Sequence, residues 1–300
     1  MNVYHHPVML VEVMHSLITD LDGIYVDATI GGGGHAQALL ERLSEKAMLI
    51  GIDRDEDAIT SARNQLRAYA QRVRFVQGSF SQIAEILMNE KLDFINGILF
   101  DLGVSSWQLD SPQRGFSFSK DGPLDMRMDQ KAQLDASQVV NTFSEKDLAD
   151  ILYLYGEERH SRKIARAIVN VRQKKPITTT RELENIIWKC MPNRRHGGIH
   201  PATRTFMALR IYVNRELDEL LKGLEDATKY LKEGARLVVL SYHSLEDRIV
   251  KCFFKNSDQL DVLTRKPIIP SQEEILSNPR ARSARMRVAQ KSAREEGIKA

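Results

Sequence analysis

Cysteine is scarce in this sequence. Cys190 and Cys252 are the only two in 300 residues, far apart and without CxxC spacing, so neither a disulfide framework nor a zinc ribbon is expected. An excess of one charge is lacking as well: 43 Lys and Arg face 40 Asp and Glu, a formal net charge of +3. Global charge therefore does not declare a nucleic-acid partner, and any basic surface has to be local. No run approaches the roughly 20 apolar residues of a membrane-spanning helix. The opening MNVYHHPVML has no basic segment leading into a long apolar stretch. A cytoplasmic protein without signal peptide or membrane contact is expected. What remains is 42% hydrophobic and 28% charged, enough to build one large domain or two modest ones.

Two periodicities alternate through the first hundred residues. Segments 24–30 (IYVDATI), 47–52 (AMLIGI), 73–76 and 94–100 (FINGILF) are apolar runs that suit strands buried on both faces. Helical spacing fills 36–43, 56–69 and 81–88. Such alternation predicts an α/β fold, a doubly wound sheet. The pattern then stops. Residues 110–131, with Pro112, Gly115, Gly122 and Pro123, read as loop, and 136–191 shows only helical periodicity. One long helix is predicted over 203–231, and strand character returns at 235–240 (ARLVVL). The polar tail, with Pro267, Pro270 and Pro279, reads as extended surface chain. The expected organisation is a discontinuous sheet domain, 1–109 and 206–300, carrying an inserted helical domain at 110–205. A single α/β domain with a helical excursion is the alternative.

Gly31-Gly32-Gly33-Gly34 falls where the first strand meets the first helix, and bare backbone there lets a ligand approach closely. Asp53 ends the second strand, where a carboxylate can accept from both hydroxyls of a ribose. Gly31, Gly33 and Ala36 also satisfy the dinucleotide fingerprint, so a NAD-dependent oxidoreductase is a rival reading. Asp27 favours S-adenosylmethionine (SAM), whose methionine ammonium an acid at that place can meet; a pyrophosphate gains nothing from it. No second nucleotide-binding half follows. Phe80, after the third strand, either covers an adenine face or packs in the core.

Two strand ends carry polar clusters, 101–108 (DLGVSSWQ) and 241–248 (SYHSLEDR). Asp101 takes the first position of the [D/N/S]-P-P-[Y/F] pattern of amino-group methyltransferases, although Leu102-Gly103-Val104 replaces the rest. An acceptor there orients an exocyclic amine whose lone pair is delocalised into its ring. Tyr242 offers an aromatic face for a flipped base, and His243 a proton acceptor. Basic residues cluster locally at Arg159, Arg162, Lys163, Arg166, Arg172, Lys174 and Lys175, in the loop 194–200 (RRHGGIH), and in the tail from Thr264. These patches favour a polyanionic substrate. His196 and His200 have no acid or cysteine nearby in sequence, and no metal is expected.

Longer stretches narrow the reading. They are HHPVML at 5–10, DATIGGGGHA at 27–36, GIDRD at 51–55, FDLGVSSWQLD at 100–110, and RGFSF with GPLDMRMD at 114–129. HPATRTFMALRIYVNREL at 200–217, SYHSLEDRIVK at 241–251 and NPRARSARMR at 278–287 complete the set. In these the chain closely resembles the RsmH (MraW) family, bacterial small-subunit rRNA cytosine-N4 methyltransferases, over nearly its whole length. The resemblance implies a Rossmann-like SAM-binding sheet domain with an inserted helical substrate domain. It implies SAM contacts from Gly33, Gly34, His35, Asp53, Phe80, Asp101 and Gln108, and methyl transfer to N4 of a cytosine in the decoding centre of 16S rRNA within the small ribosomal subunit. Tyr242 stands where phenylalanine is expected in many relatives, which keeps the ring. A homodimer stays open, as do a ribosome-assembly factor with a vestigial pocket and a DNA cytosine methyltransferase.

Overall fold

The computed structural model describes residues 7–191 and 200–293. The chain forms two compact units, Met1–Gly103 with Leu217–Ala300, and Val104–Glu216. The first half of the sheet unit runs α1 (Leu10–Leu17), β1 (Ile24–Asp27), α2 (Gly34–Leu40), β2 (Met48–Asp53), α3 (Glu56–Gln65), β3 (Val73–Gln77), α4 (Ile83–Asn89) and β4 (Ile95–Asp101). Successive side chains on a strand point to opposite faces, which explains the layering. Tyr25, Leu49 and Leu99 join one apolar cluster, while Val26, Ile50, Ile98 and Phe100 join another. Val13 and Leu17 of α1, Leu39 of α2 and Ile59 of α3 cover the first face; Ile83 and Leu87 of α4 cover the second. Burying each such side chain contributes about 1.5–3 kcal/mol. Helix α1 goes beyond the sequence reading, although Leu10, Val13, Met14 and Leu17 carry helical spacing.

The helical unit contains α5 (Ser106–Asp110), α6 (Ala136–Thr142), α7 (Glu145–Leu154), α8 (Ser161–Arg172), α9 (Thr180–Cys190) and α10 (Thr203–Asn214). It has its own core, with Val139, Leu148, Ile164, Leu183, Phe206 and Leu209 at its centre. Reciprocal capping pairs start three of its helices: Ser105 with Gln108, Asp135 with Gln138, and Thr179 with Glu182. Each satisfies two amides that a helix start leaves unpaired. The segment read as loop is loop, but pinned. Asn214 donates to Met126 O and accepts from Met128 N–H, both at 2.8 Å, and Arg114 donates to Arg127 O at 3.0 Å and Met128 O at 2.9 Å. Val104 and Leu109 pack on this core, and α10 packs on α7. The unit therefore begins earlier and ends later than the span 110–205.

The single helix expected over 203–231 is two helices. Arg215 takes a left-handed φ of 50° and ends α10; α11 (Glu216–Tyr230) follows. The break lets each half bury its stripe in a different core, Phe206 and Leu209 in the helical one, Leu220 and Leu224 against the sheet. Next come β5 (Leu231–Ser241), α12 (Ser244–Asn256), β6 (Leu260–Val262), α13 (Gln272–Ser277) and β7 (Arg285–Lys291). The sheet has seven strands in the order β3-β2-β1-β4-β5-β7-β6. Strands β1 to β5 pair in parallel, whereas β7 is antiparallel to β5 and β6.

Strand β7 corrects the expectation of a tail lying over the surface. Met286 and Val288 enter one cluster and Ala289 the other. Buried Arg287 reaches Asp247 of α12 at 2.6 Å, so a polar composition conceals a strand whose one inward charge is neutralised. A dinucleotide fold would continue past β5 with a further parallel strand. Antiparallel β7 takes that place, and no second nucleotide half is present among the described residues. Among the described residues no helix is long and apolar enough to cross a membrane.

Candidate active site

The strand order reverses between β1 and β4, and open sheets bind ligands outside the carboxyl ends at such a switch point. Asp27, Asp53 and Asp101 close β1, β2 and β4 there. After β1 the chain is tied back to β4, because the Asp101 N–H donates to Thr29 Oγ1 at 2.7 Å. Gly31 and Gly33 then take left-handed φ values of 51° and 87°, which would cost other residues about 1–2 kcal/mol each. A Cβ on Gly33 would also meet Ala62 Cα at 3.4 Å.

That turn aims the acids. Gly31 N–H donates to Asp53 Oδ2 at 3.0 Å and Asp55 N–H to Oδ1 at 2.9 Å. Each oxygen keeps acceptor capacity for a ligand. Burial pushes the Asp53 carboxyl up to about 6, against the pull of those two amides. Asp27 is buried, and its Oδ1 accepts the Thr29 N–H at 3.2 Å. Burial pushes it up to about 8, the Thr29 amide pulls it down, and Asp101 and Asp53 raise it further. Such an edge would gain from a cation. A ligand bearing a ribose diol and an ammonium group fits this donor set, and SAM carries both.

Phe80 opens a short turn after β3. Its ring meets Phe100 edge-on at 5.7 Å between centroids, and the Arg54 guanidinium lies 5.5 Å from its centre. Part of Phe80 is thus core packing. Beside it, Glu219 of α11 accepts from Ser81 Oγ at 2.5 Å and from Ser79 Oγ, with Arg54 Nη2 at 3.5 Å. Sequence reasoning missed this cluster, because Ser79 and Glu219 are 140 residues apart.

At the end of β4, Tyr242 Oη donates to Asp101 Oδ1 at 2.7 Å, and His35 Nδ1 lies 3.5 Å from Oδ2. Burial raises the Asp101 carboxyl, His35 and Tyr242 draw it down, and Glu246 adds to the rise. Burial, then the Asp101 charge, pushes the Tyr242 phenol well above its usual value. Tyr242 is itself placed by Glu246, whose Oε2 accepts its backbone N–H at 2.9 Å. His243 stands at a helix start. It caps α12, with Nδ1 accepting the Glu246 N–H at 3.4 Å and Nε2 lying 3.1 Å from Glu246 Oε1. The structure therefore brings Asp101 and Tyr242 together and holds His243 at the start of α12, its buried Nε2 making no hydrogen bond among the described residues.

The chain matches the MraW methylase family over residues 2–292. It belongs to that family. Ribosomal RNA small subunit methyltransferase H of Caldicellulosiruptor bescii is 49% identical over 305 residues, covering 96% of this chain and 99% of that protein. Its namesake from a Cyanothece species is 50% identical over 293 residues, covering 98% and 96%. A solved rRNA methylase from Streptococcus thermophilus superposes with a TM-score of 0.44 at 11% identity, covering 94% of this chain and 93% of that one. As a MraW methylase the chain is a SAM-dependent methyltransferase.

Other expected residues of this MraW methylase lie in its helical unit. Gln108 is buried, and its Oε1 accepts the Ser105 N–H at 3.0 Å within the α5 capping pair. Arg159, Arg162, Lys163 and Arg166 are exposed on α8 and its approach. Arg172 turns inward to the carbonyl oxygens of Val140, at 2.5 Å, and Phe143, and Lys175 pairs with Glu182 at 2.7 Å. His200 is stacked between Phe118 and Trp188, its Nδ1 accepts the Ala202 N–H at 3.2 Å, and its Nε2 lies 3.4 Å from Glu184 Oε1. Arg194, Arg195 and His196 lie outside the described residues, as do 294–300 of the basic tail. The Tyr242, His35 and Glu246 arrangement around Asp101 had one local signal, the His-x-x-Glu spacing of a helix start at His243.

Proposed function

We propose that this enzyme transfers the methyl group of SAM to the exocyclic N4 of a cytosine in the decoding centre of 16S rRNA, acting on the small ribosomal subunit in the cytoplasm. The observation that carries the reading is the Asp101 carboxylate, fixed by Tyr242 at 2.7 Å on the switch-point edge. The relatives named Ribosomal RNA small subunit methyltransferase H support the substrate.

The backbone of Gly33, Gly34 and His35 would cradle SAM, with Asp53 on its ribose, Asp27 on its ammonium, Phe80 by its adenine, and Gln108 as a further contact. SAM supplies an electrophilic methyl group. Asp101 accepts an N–H of the cytosine amine, which turns the nitrogen lone pair outward from the acid and polarises the amine. Once the nitrogen has been alkylated it is acidic, and its proton passes to Asp101 or to water. Tyr242 holds Asp101 still and borders the base, splayed out as single-stranded RNA bases commonly are when proteins read them. His243 keeps α12 and the Tyr242 turn in place. Arg159, Arg162, Lys163 and Arg166 serve the phosphate backbone. The reading requires no second copy of the chain.

Purified protein, radiolabelled SAM and small subunits from cells lacking the enzyme provide the test. Label in N4-methylcytidine is expected. Label in another nucleoside, or none where SAM binds normally, overturns the assignment.

A further inference from the structure

We propose that His35 acts through its side chain as the positioning residue of Asp101, its imidazolium beside Oδ2 keeping that carboxyl ionised while Tyr242 fixes Oδ1. The inference rests on the reading above for what Asp101 does, and goes beyond any contact of the His35 backbone with SAM.

The His35 ring is buried at the start of α2. Its Nε2 lies 3.0 Å from the Val8 carbonyl oxygen. A carbonyl oxygen only accepts, so Nε2 carries a hydrogen. Nδ1 then faces Asp101 Oδ2 at 3.5 Å. In a neutral imidazole that nitrogen would carry a lone pair 3.5 Å from a carboxylate oxygen, leaving two acceptors side by side. One more proton resolves the conflict. Tyr242 indicates where it resides, because its hydroxyl donates to Oδ1 at 2.7 Å, a bond that favours the ionised carboxyl. The ring thus bridges the Val8 carbonyl and the Asp101 carboxyl. The Val8 end is anchored too, since the next amide, Met9 N–H, donates to Glu274 Oε1 at 2.6 Å.

The surroundings make this charge matter. The titratable groups acting on Asp101 are Asp27 from β1, His35 from α2, Tyr242 beyond β5, and Glu246 from α12. Among the described residues of that set only His35 can bring positive charge. Burial and the neighbouring acids push Asp101 toward its neutral form, which surrenders acceptor capacity that the amine needs. His35 opposes that push and leaves free lone pairs on both oxygens for the substrate.

The test uses the protein without SAM or RNA. Carboxyl-carbon NMR of Asp101 is followed against pH in the wild type, His35→Gln and Tyr242→Phe. The glutamine retains a donor for Val8. The Asp101 midpoint should rise by about one to three pH units in His35→Gln, and also rise in Tyr242→Phe. In the wild type at neutral pH, nitrogen NMR should show both His35 nitrogens protonated, a measurement that needs no variant to fold. In turnover, His35→Gln should lose about tenfold per pH unit on a displaced acidic limb and recover at high pH. An unmoved Asp101 midpoint, an unprotonated Nδ1 facing an ionised Asp101, or a rate lost equally at every pH overturns the role. An unlabelled cytosine in the methylation assay would instead sink the substrate reading and leave these titrations untouched.

Discussion

The carboxyl edge of the sheet unit and the surface of the helical unit treat charged side chains in opposite ways. At the ends of β1, β2 and β4, Asp27, Asp53 and Asp101 are drawn from water, and burial lifts every one of them. In the helical unit, Lys146 meets Asp150 at 2.7 Å, Arg166 meets Glu145 at 3.3 Å, and Lys175 meets Glu182 at 2.7 Å, largely in solvent. Glu182 is drawn down to about 2, first by Lys175 and then by the Thr178 amide. Exposed pairs contribute little to stability, whereas a buried acid is a standing cost even where a cation partly meets it, as His35 does at Asp101. The difference teaches where a ligand is awaited. A cationic ligand that binds only the folded edge stabilises it by mass action; the helical surface has no comparable deficit to relieve.

Removing the central acid should break the comparison most severely. Asp101→Asn is expected to lower turnover by about 10²–10⁴-fold and to lower the melting temperature as well, because the buried His35 imidazolium loses its counter-charge. Single-turnover transfer and a thermal melt check this together. Near-normal turnover in a folded variant removes Asp101 from the chemistry. Next in size is a core deletion in the other unit. Leu209→Ala, fully buried, should cost about 2–5 kcal/mol. Hydrogen exchange should rise in α7 and α10 more than in β1 and β4; equal rises would mean that the units do not open separately.

Asp27 sharpens the contrast through pH. Its folded value of about 8 lies above its ordinary one of 3.8. The unfolded chain therefore releases this proton first as pH rises, so the stability it lends is full below about 4 and is lost progressively up to about 8. Asn at position 27 keeps an acceptor for the Thr29 amide and cannot ionise. Without SAM, Asp27→Asn should melt above the wild type at pH 8, with the gap closing toward pH 4. A gap that stays constant with pH denies the burial effect. SAM affinity should fall in the same variant, measured by equilibrium titration, since the ammonium loses its partner.

Much of this was legible in the sequence, and the reasons are local. The strand runs before Gly31, Asp53 and Asp101 are apolar on both faces, and a glycine run between strand and helix has few other uses. Strand β7 was hidden because Arg285 and Arg287 make its composition polar, although both find Asp247. The break at Arg215 was hidden because a non-glycine residue rarely takes a left-handed φ, so helical spacing ran through it unmarked. The contacts around Asp101 join residues 66 positions upstream at His35 and 141 downstream at Tyr242. Only the fold puts them together.

The smallest expected effect on stability lies on α8. Arg162 and Lys163 are exposed in its first turn, where an acid would suit the helix dipole better than a base. The double variant Arg162→Glu, Lys163→Glu should therefore melt within about 0.5 kcal/mol of the wild type, as surface changes commonly do. If α8 faces RNA phosphates, KM for small subunits should nevertheless rise. The slope of log affinity against log salt should flatten by about one for each lost phosphate contact. Unchanged KM and slope, with stability equally unchanged, would make these residues solvated charge and move the search for the RNA surface elsewhere on the molecule. A changed KM with an unchanged slope would point to altered helix geometry instead, because only released counterions couple affinity to salt in that proportion.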